Sequence, residues 1–218
     1  MKDEVKEFKR ARILDTALEL FSRQGFSGTS MDAVADALGV TKPFIYTYFD
    51  NKYALLTALY ERVTDQLVTI LKDALENADE PPDRQLAFLL RQLARVNMNS
   101  QVASVFIQEE KHLDKRFLQS VRRREKEFDR RLCALIERGV AMGIFHVQDP
   151  ALAGLAVTGM VRWIHRWYQP DGRLSSEEIG EQIANLALST LGVRPKTTAG
   201  AKLAAPPVAR RARSRATG

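Results

Sequence analysis

Apolar residues recur at spacings of three and four along most of this chain, and no segment alternates with a period of two. This periodicity is typical of amphipathic helices, so the sequence predicts an all-α protein of about nine helices. Asp50 and Asn51 are expected to cap a long fourth helix, while Pro150 and Ser175 are expected to begin the last two. The longer predicted helices cover residues 5–24, 52–77, 83–98, 101–112, 115–142, 150–168 and 175–191. The first is expected to pack a small domain through Phe8, Ile13, Leu14, Ala17, Leu18 and Phe21.

Two short segments between the first and fourth helices predict a helix-turn-helix. Thr29 and Asp32 have capping-box spacing ahead of a helix that ends at Leu38, and Gly39 stands where a left-handed cap is required. Thr41 is expected to cap the next helix, which would present polar side chains to the bases and phosphates of duplex DNA. The predicted DNA-binding residues are Thr29, Ser30, Thr41, Lys42, Phe44, Tyr46, Thr47, Tyr48 and Lys52.

A set of ordered positions in the first sixty or so residues has a familiar pattern: 13–21, Gly25, Phe26, 29–31, Ala35, 38–40, 46–49 and 52–56. At these positions the chain resembles the N-terminal domain of TetR-family transcriptional regulators. This resemblance implies an all-helical homodimer, most often a repressor, that binds a palindromic operator and releases it when a small molecule enters the second domain. Phe44 departs from the family, which more often has a small or hydroxylated residue there, so a thymine-methyl contact replaces a hydrogen bond at this position.

Changes in composition divide the chain into three parts. The prediction is a helix-turn-helix DNA-binding domain over 1–51, a helical ligand-binding and dimerisation domain over 52–192, and a disordered basic tail over 193–218. The chain has a net charge of +6, but the tail alone carries seven Lys and Arg residues and no acid. The DNA-binding prediction therefore rests on the motif, and the tail is either a nonspecific DNA contact or a solvated extension.

The last two predicted helices are apolar around much of their circumference. They are expected to form a homodimer interface of the kind that the resemblance implies, and the alternative is that they complete a monomeric core.

Near the end of the eighth helix, two arginines and two tryptophans are each spaced one turn apart. Such a cluster suits a ligand with phosphates and a flat ring, or it is a solvated, ion-paired face. Residues 167–179 resemble the same region in TetR-type regulators of fatty-acid and steroid catabolism, several of which sense acyl-coenzyme A thioesters. The predicted effector is therefore acyl-CoA-like, with binding residues Phe88, Val105, Phe106, Phe117, Val121, Arg162, Trp163, Arg166 and Trp167. The alternatives are an efflux-type regulator that senses an uncharged apolar or aromatic compound, and an architectural DNA-binding protein without a ligand.

Signals for catalysis, metals and membranes are weak. The chain has three histidines, and none is paired with another or with a cysteine at metal-ligand spacing. It has no glycine-rich phosphate loop or nucleophile elbow, so we predict neither an enzyme nor a bound cofactor or metal. The charged N-terminus and the lack of an eighteen-residue apolar run predict a cytoplasmic protein with no membrane partner. The single cysteine, Cys133, is expected to be a packed or half-buried thiol, with a redox sensor as the alternative.

Overall fold

The computed structural model describes residues 2–76, 79–99 and 102–193, and every regular element within these ranges is helical. The all-α prediction is confirmed. The helices are α1 Lys2–Gly28, α2 Met31–Leu38, α3 Lys42–Tyr46, α4 Lys52–Glu76, α5 Pro82–Asn99, α6 Val102–Glu109, α7 Lys115–Ala141, α8 Pro150–Arg162 and α9 Ser176–Thr190. Two 3-10 turns, Glu110–His112 and Ile164–Arg166, follow α6 and α8. The predicted tail lies outside the described residues from position 194 onward.

Local backbone conformations and capping hydrogen bonds define the helix-turn-helix. Gly39 ends α2 in the left-handed conformation, with φ of 66°, as predicted. The cap of α2 is Ser30, whose hydroxyl oxygen accepts from the Ala33 N–H at 3.0 Å. The predicted capping role of Thr29 is wrong, because α1 bends at Gly25 and the Thr29 hydroxyl donates backward to the Gly25 carbonyl at 2.9 Å. Thr41 occupies the N-cap position of α3, but its side chain makes no capping bond.

The last two helices begin as expected and one of them ends early. Asp149 caps α8, and Ser175 with Glu178 forms the predicted capping box of α9. However, α8 ends at Arg162 instead of continuing to Tyr168. Ile164 is fully buried in the apolar cluster that also contains residues of α5, α7 and α8. The 3-10 turn Ile164–Arg166 places it there and ends the α-helix.

Two apolar cores hold the helices together. The N-terminal core contains buried residues of α1 to α4, together with Val102 and Phe106 of α6, Leu113, and Phe117 and Val121 of α7. The C-terminal core is formed by buried residues from the second half of α4, from α5, from the rest of α7, and from α8, the second 3-10 turn and α9.

One predicted core residue lies outside both cores. The Phe8 side chain is 67% exposed, because the first two turns of α1 extend beyond the helices that bury Ile13 and Leu14. The Cys133 thiol is partly buried, and burial together with Glu137 raises its pKa. No helix among the described residues is long and apolar enough to span a bilayer.

Candidate DNA-binding surface and effector cavity

One side of the short helix α3 is buried against the protein, and the opposite side is exposed. Ile45 and Phe49 are buried in the N-terminal core, and α3 packs against α2. On the opposite side Thr41, Tyr46 and Thr47 are exposed, and Ser30 is exposed at the start of α2. The helix-turn-helix therefore presents a continuous polar surface at the position from which a recognition helix enters a major groove.

Phe44 and Tyr48 add an aromatic element to this surface. Their ring centroids are 5.3 Å apart and both side chains are half-buried. The Thr47 hydroxyl donates to the Phe44 carbonyl at 2.7 Å, which leaves its methyl group and its oxygen lone pairs facing outward.

The two predicted phosphate-binding lysines are both engaged with the protein. The Lys42 ammonium lies 2.8 Å from an oxygen of Asp32, and this hydrogen bond raises the Lys42 pKa. Both partners are more than half exposed, so the pair is weak and a phosphate can replace the carboxylate. Lys52 donates to the Phe26 carbonyl at 2.6 Å and to the Thr29 carbonyl at 2.9 Å. Lys52 thus fastens the start of α4 to the α1–α2 connection.

Of the nine predicted DNA-binding residues, two are placed away from the exposed surface. Thr29 is 2% exposed and bonded to Gly25, so its hydroxyl is not directed toward a ligand. Lys52 is half-buried, and two of its three N–H donors are bound to backbone carbonyls. The other seven, Ser30, Thr41, Lys42, Phe44, Tyr46, Thr47 and Tyr48, lie together on α2 and α3 or at their edges.

A cavity of about 360 Å³ lies between α4, α5, α6, α7 and α8, at the boundary of the two cores. Three of the nine predicted ligand residues line it: Phe106, Val121 and Arg162. Its apolar wall also contains Val63, Leu67, Val68, Leu93, Val96, Leu118, Phe128 and Val161. The volume lies within the range of small-molecule sites, and most of the lining is apolar as in such sites.

Tyr60 is a half-buried residue of the cavity wall that the sequence did not predict. Its ring stacks on Phe106 with centroids 3.7 Å apart, and the edge of Phe117 lies behind it. Burial, followed by the nearby Glu125 carboxylate, raises the Tyr60 pKa to about 12. The hydroxyl is therefore a neutral hydrogen-bond donor at physiological pH. In the sequence Tyr60 falls at the helical spacing of core residues, so no local signal separates it from them.

Charged side chains surround the cavity and form pairs across it. Arg122 lies 3.7 Å from Glu110, and Arg162 lies 3.7 Å from Glu125. The third arginine of the lining, Arg124, makes a closer pair of 2.6 Å with Asp65. His165 is also in the lining, with Nδ1 2.8 Å from the Arg162 carbonyl oxygen.

Six predicted ligand residues do not line the cavity. Phe117 and Val105 belong to the N-terminal core or pack against it, and Phe88 is exposed on α5. Trp163 is 62% exposed, with the Arg166 guanidinium 5.8 Å from its ring, and Trp167 is also exposed. Trp163 and Trp167 lie outside the cavity because α8 ends early. The 3-10 turn that follows directs Ile164 inward and leaves both indoles exposed.

Comparison with known proteins places the chain in a family. The model "Bacterial regulatory proteins, tetR family" matches residues 13–59, and "Tetracyclin repressor-like, C-terminal domain" matches residues 79–191. A transcriptional regulator of the TetR/AcrR family from Thermobifida fusca is 33% identical, with 83% of this chain and 96% of that chain covered and a TM-score of 0.68.

Two further relatives have named ligands or roles. AibR, solved with isovaleryl coenzyme A and operator DNA, is 25% identical, with 81% and 96% of the chains covered and a TM-score of 0.70. The transcriptional repressor KstR2 of Mycolicibacterium smegmatis is 25% identical over 185 residues, which is 83% of this chain and 89% of KstR2. This chain belongs to the TetR family, and it is a helix-turn-helix transcriptional regulator and not an enzyme.

Proposed function

We propose that the protein is a homodimeric repressor that binds a palindromic operator through α3 and leaves it when an acyl-coenzyme A thioester fills the cavity. The observation that carries this proposal is the cavity itself, whose apolar interior ends at paired arginines. Support also comes from AibR, solved with isovaleryl coenzyme A and operator DNA, and from the repressor KstR2.

The DNA contact is assigned to the seven exposed residues of the helix-turn-helix. Tyr46 and Thr47 reach the groove, Ser30 and Lys42 bind phosphates, and Phe44 contacts a thymine methyl group. Tyr46→Ala and Thr47→Ala should therefore weaken operator binding without unfolding the protein, because both side chains are exposed.

The homodimer is assigned to an exposed apolar stripe on α8. Leu152, Leu155 and Trp163 are all more than half exposed and follow one face of the helix at helical spacing, with Ala156 and Gly159 between them. Leu186 adds a large exposed apolar group on the neighbouring α9. Monomers rarely leave such a patch in water, and a two-fold interface covers it with the same patch of a second copy.

The thioester fits the cavity in two parts. About 360 Å³ accommodates an acyl chain among the apolar side chains, whereas the nucleotide of coenzyme A is too large and must remain at the mouth. There Arg122 and Arg162 can exchange their 3.7 Å carboxylate partners for phosphates, since loosely paired exposed ions contribute little stability. The neutral Tyr60 hydroxyl is available to donate to the thioester carbonyl.

Release of DNA requires that the ligand favour one arrangement of the helices. Coupling between two sites typically amounts to about 1 to 3 kcal/mol. The helix α4 connects them, because it carries Tyr60 in the cavity wall and Lys52 at the α1–α2 connection.

A second candidate is an uncharged aromatic compound. The ring cluster of Tyr60, Phe106 and Phe117 favours a flat apolar ligand, and each arginine of the lining already has a carboxylate partner. Such a ligand would occupy the cavity without disturbing these pairs.

Selection from a random duplex library would identify the operator, and calorimetry would then compare three ligand sets. These are acyl-CoA thioesters of increasing chain length, the matching free acids, and uncharged N-acetylcysteamine thioesters. We expect acyl-CoA to bind and to release the selected duplex, and Arg162→Gln to weaken its binding at least tenfold. Arg166→Gln is the matched control, because Arg166 lies outside the cavity lining. Equal binding of acyl-CoA and the uncharged thioester would favour the second candidate, and no binding by any thioester would exclude the first.

A further inference from the structure

Within the part of the chain that the structure describes, two lysines near the recognition helix have no carboxylate partner, whereas Lys42 and Lys52 are both engaged. We propose that Lys6 and Lys9, on the first turns of α1, form an additional phosphate-binding surface for operator DNA. This surface is called the α1 lysine stripe below. The inference rests on the proposed function, because it assigns new contacts to the same DNA complex.

The first two turns of α1 project from the protein. Residues 3 to 9 are all exposed, and Val5 and Phe8 are among the exposed large apolar side chains. The N-terminal core begins farther along the helix, at Ile13. These turns therefore contribute almost nothing to the buried core, yet they are helical, with Asp3 and Glu4 placed favourably in the first turn. A projecting helix of this kind is available to a partner outside the monomer.

The charges of this segment are sorted onto different faces. At about 100° per residue, Asp3, Glu4 and Glu7 fall within an arc of about 100° around the helix. Lys6 and Lys9 lie on the other side, with their mean direction about 140° from that of the acids. A phosphate backbone along the lysine side therefore meets two cations and lies away from Glu4 and Glu7, while Asp3 borders the Lys6 edge at about 60°.

Contacts with α3 place the lysine side next to the DNA-binding surface. The Lys9 ammonium lies 5.7 Å from the centroid of the Phe44 ring, and Phe44 is on α3. The next residue, Arg10, has its guanidinium 5.3 Å from the ring of Phe49, three residues after the end of α3. The α1 lysine stripe is thus continuous with the surface that carries Phe44, Tyr46 and Tyr48.

Lys6 and Lys9 differ from Lys42 and Lys52 in the protein groups that already contact the ammonium. At Lys42 a phosphate displaces Asp32, whereas the Lys52 ammonium is half-buried and already donates to two backbone carbonyls. Among the described residues no carboxylate pairs with Lys6 or Lys9, and Lys9 makes a contact with an aromatic ring that leaves the ammonium solvated. Neutralising a phosphate with these lysines releases counterions without breaking an ion pair in the protein.

The test measures how operator affinity depends on salt. Fluorescence anisotropy with the selected duplex, at several salt concentrations, would compare wild type with the double variant Lys6→Ala/Lys9→Ala. Each neutralised phosphate contributes about 0.9 to the slope of log K against log salt, so removing four lysines from a dimer should reduce the slope by about 3.6. Lys6→Arg/Lys9→Arg should keep the wild-type slope. The matched control, Arg123→Ala/Lys126→Ala, removes the same charge from exposed positions in the middle of α7 and should leave the slope unchanged.

The outcomes separate this inference from the proposed function. If the wild type binds the duplex and the Lys6/Lys9 alanine variant keeps its slope, the α1 lysine stripe is wrong and the operator function stands. An equal reduction in the α7 control would also overturn the stripe, since it would show an effect of net charge alone. If the wild type selects no duplex, the proposed function fails and the stripe fails with it.

Discussion

The two apolar cores differ in how they are assembled from the chain. The C-terminal core joins the second half of α4 with α5, most of α7, α8, the second 3-10 turn and α9. The N-terminal core contains residues of α1 to α4 and also Val102, Phe106 and Phe117, which come after α5 in the sequence. The segment from α6 to the front of α7 is therefore part of the second domain in sequence and packs with the DNA-binding helices in space. A ligand in the cavity touches both cores at once.

The cavity wall reflects this division. Phe106 and Val121 face it from the N-terminal core, and Phe128 and Val161 face it from the C-terminal core. Under the proposed function, this difference means that no separate relay is needed between the cavity and the helix-turn-helix, because one wall of the cavity belongs to the N-terminal core.

The largest effects are expected from truncating one phenylalanine of each core. Phe106 and Phe128 are nearly equally buried, at 7% and 8% exposed, and both line the cavity. Phe106→Ala and Phe128→Ala should each lower the free energy of unfolding by about 3 to 5 kcal/mol. Only Phe106→Ala should also weaken operator binding by the folded protein, because its ring supports the helices of the N-terminal core. Urea unfolding with anisotropy titration would measure both, and equal weakening of DNA binding would contradict the division between the cores.

Substitution of Gly139, which lies against Phe145 of the C-terminal core, provides the next test. A methyl group at Gly139 would collide with the buried ring of Phe145, so Gly139→Ala should destabilise the protein by about 1 to 3 kcal/mol. DNA affinity should be unchanged. The control is Gly28→Ala, where the added carbon meets only the Gln24 side chain at 3.8 Å. Thermal unfolding should show little change or a small gain for the control.

Substitution of Lys52 tests the hydrogen bonds that fasten the start of α4 to the α1–α2 connection. Lys52→Met removes the two hydrogen bonds to Phe26 and Thr29 and should cost about 1 kcal/mol of stability. Hydrogen exchange should rise in α2, while the salt dependence of operator binding stays near that of wild type. A reduced salt slope with unchanged exchange would return Lys52 to the phosphate-binding role that the sequence predicted.

The smallest effect is expected at the α9 capping box. Hydrogen bonding from the Ser175 backbone N–H lowers the pKa of Glu178 below its ordinary 4.5. A lowered carboxyl pKa stabilises the fold above the unfolded-state value, and the contribution disappears as the pH falls through the folded-state value. Glu178→Gln should therefore lower the melting temperature slightly at pH 7, and the difference from wild type should shrink below pH 4.5. A difference that stays constant with pH would contradict this role.

The helix-turn-helix was predictable because its signals are local. Gly39 must adopt positive φ at the end of α2, and that requirement is visible in the sequence. The exchange of Thr29 for Ser30 as the cap was not visible, since both carry a capping hydroxyl and Asp32 stands at capping-box spacing from Thr29. The bend at Gly25 decides between them by turning Thr29 inward.

The cavity was predictable only in part. Phe106, Val121 and Arg162 were identified, but Tyr60 and Phe128 were not, since a cavity wall and a filled core have the same helical spacing. The positions of Trp163 and Trp167 depend on where α8 ends. That end is set by burial of Ile164 against distant helices, and periodicity carries no information about such packing.

The cavity between the two cores also determines how a ligand affects unfolding. The helices α4 and α7 each carry buried residues of both cores, so neither core is expected to unfold without loosening the other. A ligand that requires both walls stabilises only the doubly folded state, by about 2.7 kcal/mol at a hundredfold excess over its Kd. We therefore expect calorimetry to show one transition for the free protein and one transition at a higher temperature for the saturated protein. The effector would be recorded as a shift in the melting temperature.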